Sequence, residues 1–235
     1  TWSKLGSHPH IVRCFGVERI GDSREVFLVL ELVAKAEGHP DASLRAWLAP
    51  GQPIPPEQAL LFALQAARAM QHATSLIPGL VHRDLKPENL LVGADPLPGT
   101  DPAQLGAHRL RVTDFGLAHT LEEAGAGGKA EMGKGEQEQA DRLPSSPLGR
   151  TQLTRGIVGT PRYMAPEQWL GQPVSCATDV YALGCMFYEM LTGQWLAGGR
   201  SLAELERQHC AGRLPPLPES MPNGVKELLA DCLAP

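Results

Sequence analysis

Residues 82–89 read His82-Arg-Asp-Leu-Lys-Pro-Glu-Asn89, and the reading of the whole chain turns on them. Downstream, in fixed order, come Asp114-Phe115-Gly116 and, at 159–167, Gly-Thr-Pro-Arg-Tyr-Met-Ala-Pro-Glu. Upstream, Pro55 and Pro56 open a helical stretch in which Leu60, Ala63, Ala67 and Met70 share one face. Before that, residues 26–33 (VFLVLELV) form a β-branched apolar run that predicts a buried strand. Residues 11–17 are a second strand candidate, separated from the first by the turn residues Gly21 and Asp22. Residues 43–48 predict a short helix with Ser43 as N-cap. Residues 175–191 predict a longer one, with Val180, Leu183, Phe187 and Met190 on its apolar face and Gly193 as its C-cap. Residues 201–211 and 223–233 are further helix candidates.

The chain has 235 residues, enough for a sizeable core. Its 21 Lys and Arg against 26 Asp and Glu give a net charge of −5, which argues against a nucleic-acid or anionic-membrane binder. A hydrophobic share of 43% excludes disorder throughout, and no apolar run approaches the roughly 18 residues of a membrane-spanning helix. No signal peptide opens the chain, and a start at Thr1 reads as a piece of a longer protein. The five cysteines (Cys14, Cys176, Cys185, Cys210, Cys232) show no CxxC pair and are odd in number, which predicts reduced, buried thiols in a cytoplasmic setting. Residues 94–108 and 122–141 are rich in Pro, Gly and acids. An insert over about 122–145 is expected to be disordered, because it cannot bury enough surface to offset its ordering entropy.

The three motifs together resemble a eukaryotic-type protein serine/threonine kinase catalytic domain, whose signatures include HRDLxxxxN, DFG and APE. An isolated Asp84 or Asn89 would read as a turn residue, and an isolated Lys86 as a solvated surface lysine; the joint pattern reverses both. The resemblance implies an α+β, two-lobe kinase fold, with 1–33 as the end of the small lobe and 34–235 as an incomplete large lobe. It implies ATP and Mg²⁺ as cofactors, with Mn²⁺ as an alternative. Phosphoryl transfer is mostly positioning and charge neutralisation. By resemblance Asp84 accepts the substrate hydroxyl proton, Lys86 sits by the transferring phosphate, and Asn89 and Asp114 hold the metal. Thr160 resembles the threonine that bonds the aspartate–lysine pair. Leu30 resembles the gatekeeper, Glu31 to Val33 the adenine hinge, and Leu91 the residue beneath adenine. His82 and Phe115 resemble the column linking the lobes, with Cys14 as its strand member, and Gly116 is a structural residue of the DFG motif. Asp179 resembles the helix aspartate that holds the catalytic loop, and Glu167 the APE glutamate whose arginine partner is expected beyond Leu233.

Leu-Lys-Pro-Glu after the catalytic aspartate and Gly-Thr before APE resemble kinases acting on serine and threonine rather than tyrosine. The implied partners are protein substrates bearing Ser or Thr, together with a second kinase copy for trans-autophosphorylation. Arg83 implies control by a phosphorylated activation-loop residue, with Thr154 the first candidate, then Thr151, and Ser145 and Ser146 behind them. No glycine-rich strand-loop or strand lysine precedes Ile11, so the chain by itself is expected to be inactive. Gly125 to Lys129 (GAGGK) lacks the spacing of a phosphate loop. The alternative reading is a non-catalytic, kinase-like scaffold. A small-molecule transferase of the same fold fits less well, because such relatives usually lack the GT…APE segment.

Overall fold

The computed structural model describes residues 2–19, 26–95, 108–115, 119–120, 161–219 and 221–234. The insert expected over 122–145, Gly116, Gly125 to Lys129, Ser145, Ser146, Thr151, Thr154 and Thr160 lie outside the described residues.

Strands β1 (Cys14–Arg19) and β2 (Val26–Leu30) pair antiparallel, with a bulge between Cys14 and Gly16. The 26–33 run leaves the ladder after Leu30, three residues earlier than its apolar character predicts. Helix α1 (Pro56–Leu76) starts at the proline pair. Its buried stripe is Ala59, Phe62, Ala66, Ala69, Met70 and Ala73, so of the predicted face Met70 is core and Ala63 packs against it, while the stripe is centred one step round. Leu60 is 45% exposed and Ala67 lies on the solvent side. The apolar block at 59–64 left the phase open, and Phe62, fully buried, decided it, a burial worth about 1.5–3 kcal/mol.

A short strand β3 (Leu80–Val81) follows α1 and pairs with β6 (His119–Thr120). Strands β4 (Leu90–Gly93) and β5 (Arg109–Val112) form an antiparallel hairpin. Gln65 of α1 ties the helix to this hairpin, its side-chain oxygen accepting from the Leu110 N–H at 2.7 Å. The segment before β1 joins the same hairpin. Val12 donates to the Val112 carbonyl and Val112 to the His10 carbonyl, each at 2.9 Å. Residues 44–47 form a 3₁₀ turn rather than an α-helix, and the Ser43 hydroxyl bonds Asp41 instead of capping it.

Beyond the long undescribed stretch come the single turn α2 (Pro166–Trp169), α3 (Cys176–Thr192), α4 (Leu202–Cys210) and α5 (Asn223–Cys232). Ser175 caps α3, accepting from Ala177 N at 3.2 Å, and Gly193 ends it at φ 65°, the C-cap expected of it. Helix α3 is buried almost all round, so a one-face reading of it was too narrow. Val180 of the predicted face is 43% exposed, whereas Tyr181, Ala182, Cys185 and Met186 are core. All five cysteines are free, but only Cys185 is fully buried, and Cys176 and Cys210 are exposed. Among the described residues no helix is long and apolar enough to cross a membrane.

Candidate active site

The loop between β3 and β4 carries residues 82–89. Its first residue, His82, is fully buried. The His82 Nε2 lies 2.9 Å from the Thr113 carbonyl, so the proton is assigned to that nitrogen. The ring meets Phe115 at 5.0 Å between centroids, and Phe115 is tilted against Trp2 at 5.9 Å on its other side. Trp2 is a partner that sequence reasoning missed. Cys14, expected in this column, is partly buried against the core, its thiol 3.6 Å from the Gly16 carbonyl.

Asp179, on the first turn of α3, is 4% exposed. Its two oxygens accept from the backbone N–H groups of His82 at 2.8 Å and Arg83 at 3.0 Å. Burial pushes its carboxyl up, and these two donors pull the other way without cancelling the effect. Arg83 sits at φ 70°, a left-handed conformation costly for a side chain with a Cβ. Its carbonyl accepts from Gln168 Nε2 of α2 at 2.9 Å. Two separate helices therefore hold the strained residue just before Asp84.

At Asp84 three motif residues meet. Lys86 Nζ lies 2.6 Å from Asp84 Oδ2. Asn89 Nδ2 donates to the Asp84 carbonyl at 2.8 Å and to Oδ2 at 3.2 Å. The Asn89 carbonyl in turn accepts from Thr113 N at 2.9 Å, which sets Asn89 beside the residue preceding Asp114. Asp114 itself is half-buried at φ 63°. Arg83 and Asp114 are the two non-glycine residues of positive φ among the described residues.

Leu30 closes β2 and is half-buried. Glu31 leaves the sheet with its N–H on the Arg13 carbonyl at 2.8 Å. Val33 is buried, Leu32 is 92% exposed, and Leu91 is half-buried on β4. Glu167 on α2 accepts from the Thr178 hydroxyl of α3.

A second network stands beside the loop. Glu189, a buried acid on the apolar helix α3, accepts from Arg45 Nη1 at 2.7 Å and from the Tyr163 hydroxyl at 2.5 Å. Arg45 also donates to the Tyr163 hydroxyl and, through Nε, to Glu88 Oε1 at 3.0 Å. Burial and the neighbouring Glu189 carboxylate push the Tyr163 hydroxyl up. Burial works against the Arg45 charge, yet the Glu189 bond holds its proton more firmly than usual. A lone acid within YEMLT was the one sign of this network in the sequence.

A hairpin stitched to a strand pair, over a helix-held loop that gathers an aspartate, a lysine and an asparagine, is the architecture of a protein kinase. Residues 2–235 match the family described as Protein kinase domain, and the chain belongs to it. It is 33% identical over 229 residues to the serine/threonine-protein kinase PkaB of Streptomyces coelicolor, covering 97% of this chain and 45% of that protein. PkaA of the same organism is 33% identical over 228 residues, covering 97% of this chain and 34% of that protein. The serine/threonine-protein kinase PknA of Mycobacterium tuberculosis is 32% identical over 226 residues, covering 95% and 42%. The chain is a kinase domain of the serine/threonine type, and it spans less than half the length of these curated relatives. The family acts with ATP and a divalent metal, on protein substrates.

Proposed function

We propose that the protein carrying this chain transfers the γ-phosphoryl group of ATP to serine and threonine hydroxyls of protein substrates. The observation that supports this most is the Asp84–Lys86–Asn89 cluster, built on a loop whose backbone is bonded to Asp179. Asp84 accepts the hydroxyl proton as the oxygen attacks phosphorus. Lys86 sits beside the transferring phosphate and offsets its charge.

The residues fit a hard divalent cation. Both hydrogen bonds of the Asn89 amide nitrogen go to Asp84, which leaves the amide oxygen as the ligating end, and Asp114 supplies a carboxylate. Asn89 and Asp114 would therefore hold Mg²⁺, with Mn²⁺ as the alternative, and the ion would neutralise the β- and γ-phosphate oxygens. Leu30, the backbone of Glu31 to Val33, and Leu91 take the adenine. Residues 1–33 belong to the small lobe and 34–235 to the large one, in a cytoplasmic kinase.

Arg83 is the receptor for an activating phosphate, since its buried Nε has no hydrogen-bond partner among the described residues. Thr154, then Thr151, is the residue modified, by a second copy of the kinase. Thr160 steadies the Asp84–Lys86 pair. The test is radiolabelled autophosphorylation of the full-length protein beside its Asp84→Asn variant. Label on serine or threonine that vanishes in the variant supports the enzyme and its base, and the labelled sites test Thr154. Nucleotide binding without label under Mg²⁺ or Mn²⁺ would favour a scaffold role.

A further inference from the structure

One charged cluster remains unused by the chemistry above. Arg111 of β5 is a guanidinium with 3% of its side chain exposed. Its Nη1 donates to Asp95 Oδ1 at 3.0 Å, its Nη2 bonds Asp95 Oδ2, and its Nε lies 3.4 Å from Glu31 Oε1. Arg109 bonds the same Asp95. The other oxygen of Glu31, Oε2, accepts from Arg13 N at 3.1 Å. One carboxylate thus touches the start of the β1 segment and the β5 strand while its own residue begins the chain's exit from β2.

The surroundings are shaped around this cluster. Arg111 stands opposite Leu91 in the β4–β5 register. A Cβ on Gly93 would lie 2.4 Å from Asp95 Oδ1, 3.0 Å from Val33 Cγ1 and 3.1 Å from Arg111 Nη1. A side chain at position 93 would push the Asp95 carboxylate off the pair and press on Val33. Lys35 also bridges to Gly93, so both ends of the 31–35 segment are tied to the hairpin, one by charge and one by backbone.

We infer that Arg111 is a positioning residue for the nucleotide: through Glu31 it fixes the 31–33 segment over Leu91 and so sets nucleotide affinity rather than the rate of phosphoryl transfer. A buried guanidinium with a short reach holds its carboxylate partners in one geometry, whereas backbone bonds alone let the segment pivot. The inference rests on reading Glu31 to Val33 as the adenine hinge.

The test uses Arg111→Met, Glu31→Gln, their double variant and Arg111→Lys in the full-length protein. Arg111→Met leaves Asp95 half-exposed and still bonded to Arg109, and Glu31 bonded to Arg13 N, so no carboxylate is stranded in the core. Each single change is expected to weaken ADP binding about fivefold; for Arg111→Met, which lies outside the nucleotide-contacting segment, kcat stays within about twofold and the melting temperature within a few degrees. The double variant is expected to bind no worse than the weaker single, and Arg111→Lys to recover part of the loss. Unchanged affinity, additive losses, or a loss that follows melting temperature rather than charge would overturn it. Hydrogen exchange of residues 31–34 in the wild-type protein with and without ADP tests the hinge reading separately. Absence of protection there removes that reading, whereas protection with unaltered affinity in the variants removes the Arg111 inference alone.

Discussion

Replacing Asp179 by asparagine tests whether the catalytic loop is positioned by a carboxylate. The aspartate accepts two backbone N–H bonds, at 2.8 and 3.0 Å. An amide supplies one acceptor and turns an NH₂ toward the other donor. One charge-assisted bond, about 1.5–3 kcal/mol, is lost and a buried donor is stranded, while relief of carboxylate desolvation returns part of the cost. The net loss is about 2–3 kcal/mol, or roughly 5–10 °C in melting temperature for a domain of this size. Alanine loses both bonds and costs about 3–5 kcal/mol. Stability is the smaller consequence. Arg83 stays at φ 70° because its N–H and C=O are both held, and a released loop relaxes toward a cheaper backbone. A displacement of about 1 Å at Asp84 is worth about 100-fold in rate. The expected result is kcat down about 100-fold with KM for ATP within threefold, measured on a phosphoacceptor peptide alongside urea unfolding. A variant destabilised as stated but with unchanged kcat would refute the argument, because the bonds would then carry stability and not position.

Lys86→Met is expected to lower kcat by about 10²-fold with little change in KM for ATP, since Lys86 serves charge that grows in the transition state; steady-state kinetics decide it. Gly193→Ala places a Cβ 2.6 Å from Gln52 N at φ 65° and is expected to cost about 1–3 kcal/mol, read as a lower urea midpoint. Tyr163→Phe leaves Glu189 bonded to Arg45 and is expected to cost about 1–2 kcal/mol, whereas Glu189→Ala removes the buried acceptor of both Arg45 and Tyr163, leaving Arg45 with Glu88 alone as a carboxylate partner, and costs more; thermal unfolding of the pair gives the order. His209 is 2% exposed, and burial, aided by the charge of Arg162, lowers its pKa from 6.5 to about 4. The unfolded chain therefore takes up a proton that the native one refuses as pH falls below about 6.5, so this contribution is full at neutral pH and about 2 kcal/mol is lost by pH 5. His209→Gln should flatten the pH dependence of unfolding free energy over that range.

The motif at 82–89, the helix-starting prolines and the Gly193 stop were all legible, because each is a local signal whose residue types act on their own backbone. The phase of α1 was not. Ala59 to Leu64 is apolar at every position, so only Phe62 meeting the core fixes which side turns inward. The Arg45–Glu189 pair joins residues 144 positions apart, and no periodicity points from one to the other. The Arg111 cluster was hidden for a related reason, since a β-strand arginine reads as a solvated face until an acid is found folded over it.

Three aspartates show why residue type alone could not assign these roles. Asp179 is buried and spends both oxygens on backbone N–H groups, so it shapes the chain. Asp95 is half-exposed and meets two guanidinium groups, which hold its carboxyl below the usual range despite partial burial, so it anchors side chains. Asp84 lies between these extremes, gripped by Lys86 and Asn89 from its own loop. Its position derives from Asp179 on α3, Gln168 on α2 and the Thr113 bond from the hairpin, three elements that meet only in the folded chain. Damage to any one of them should therefore appear first in kcat, before the core itself gives way.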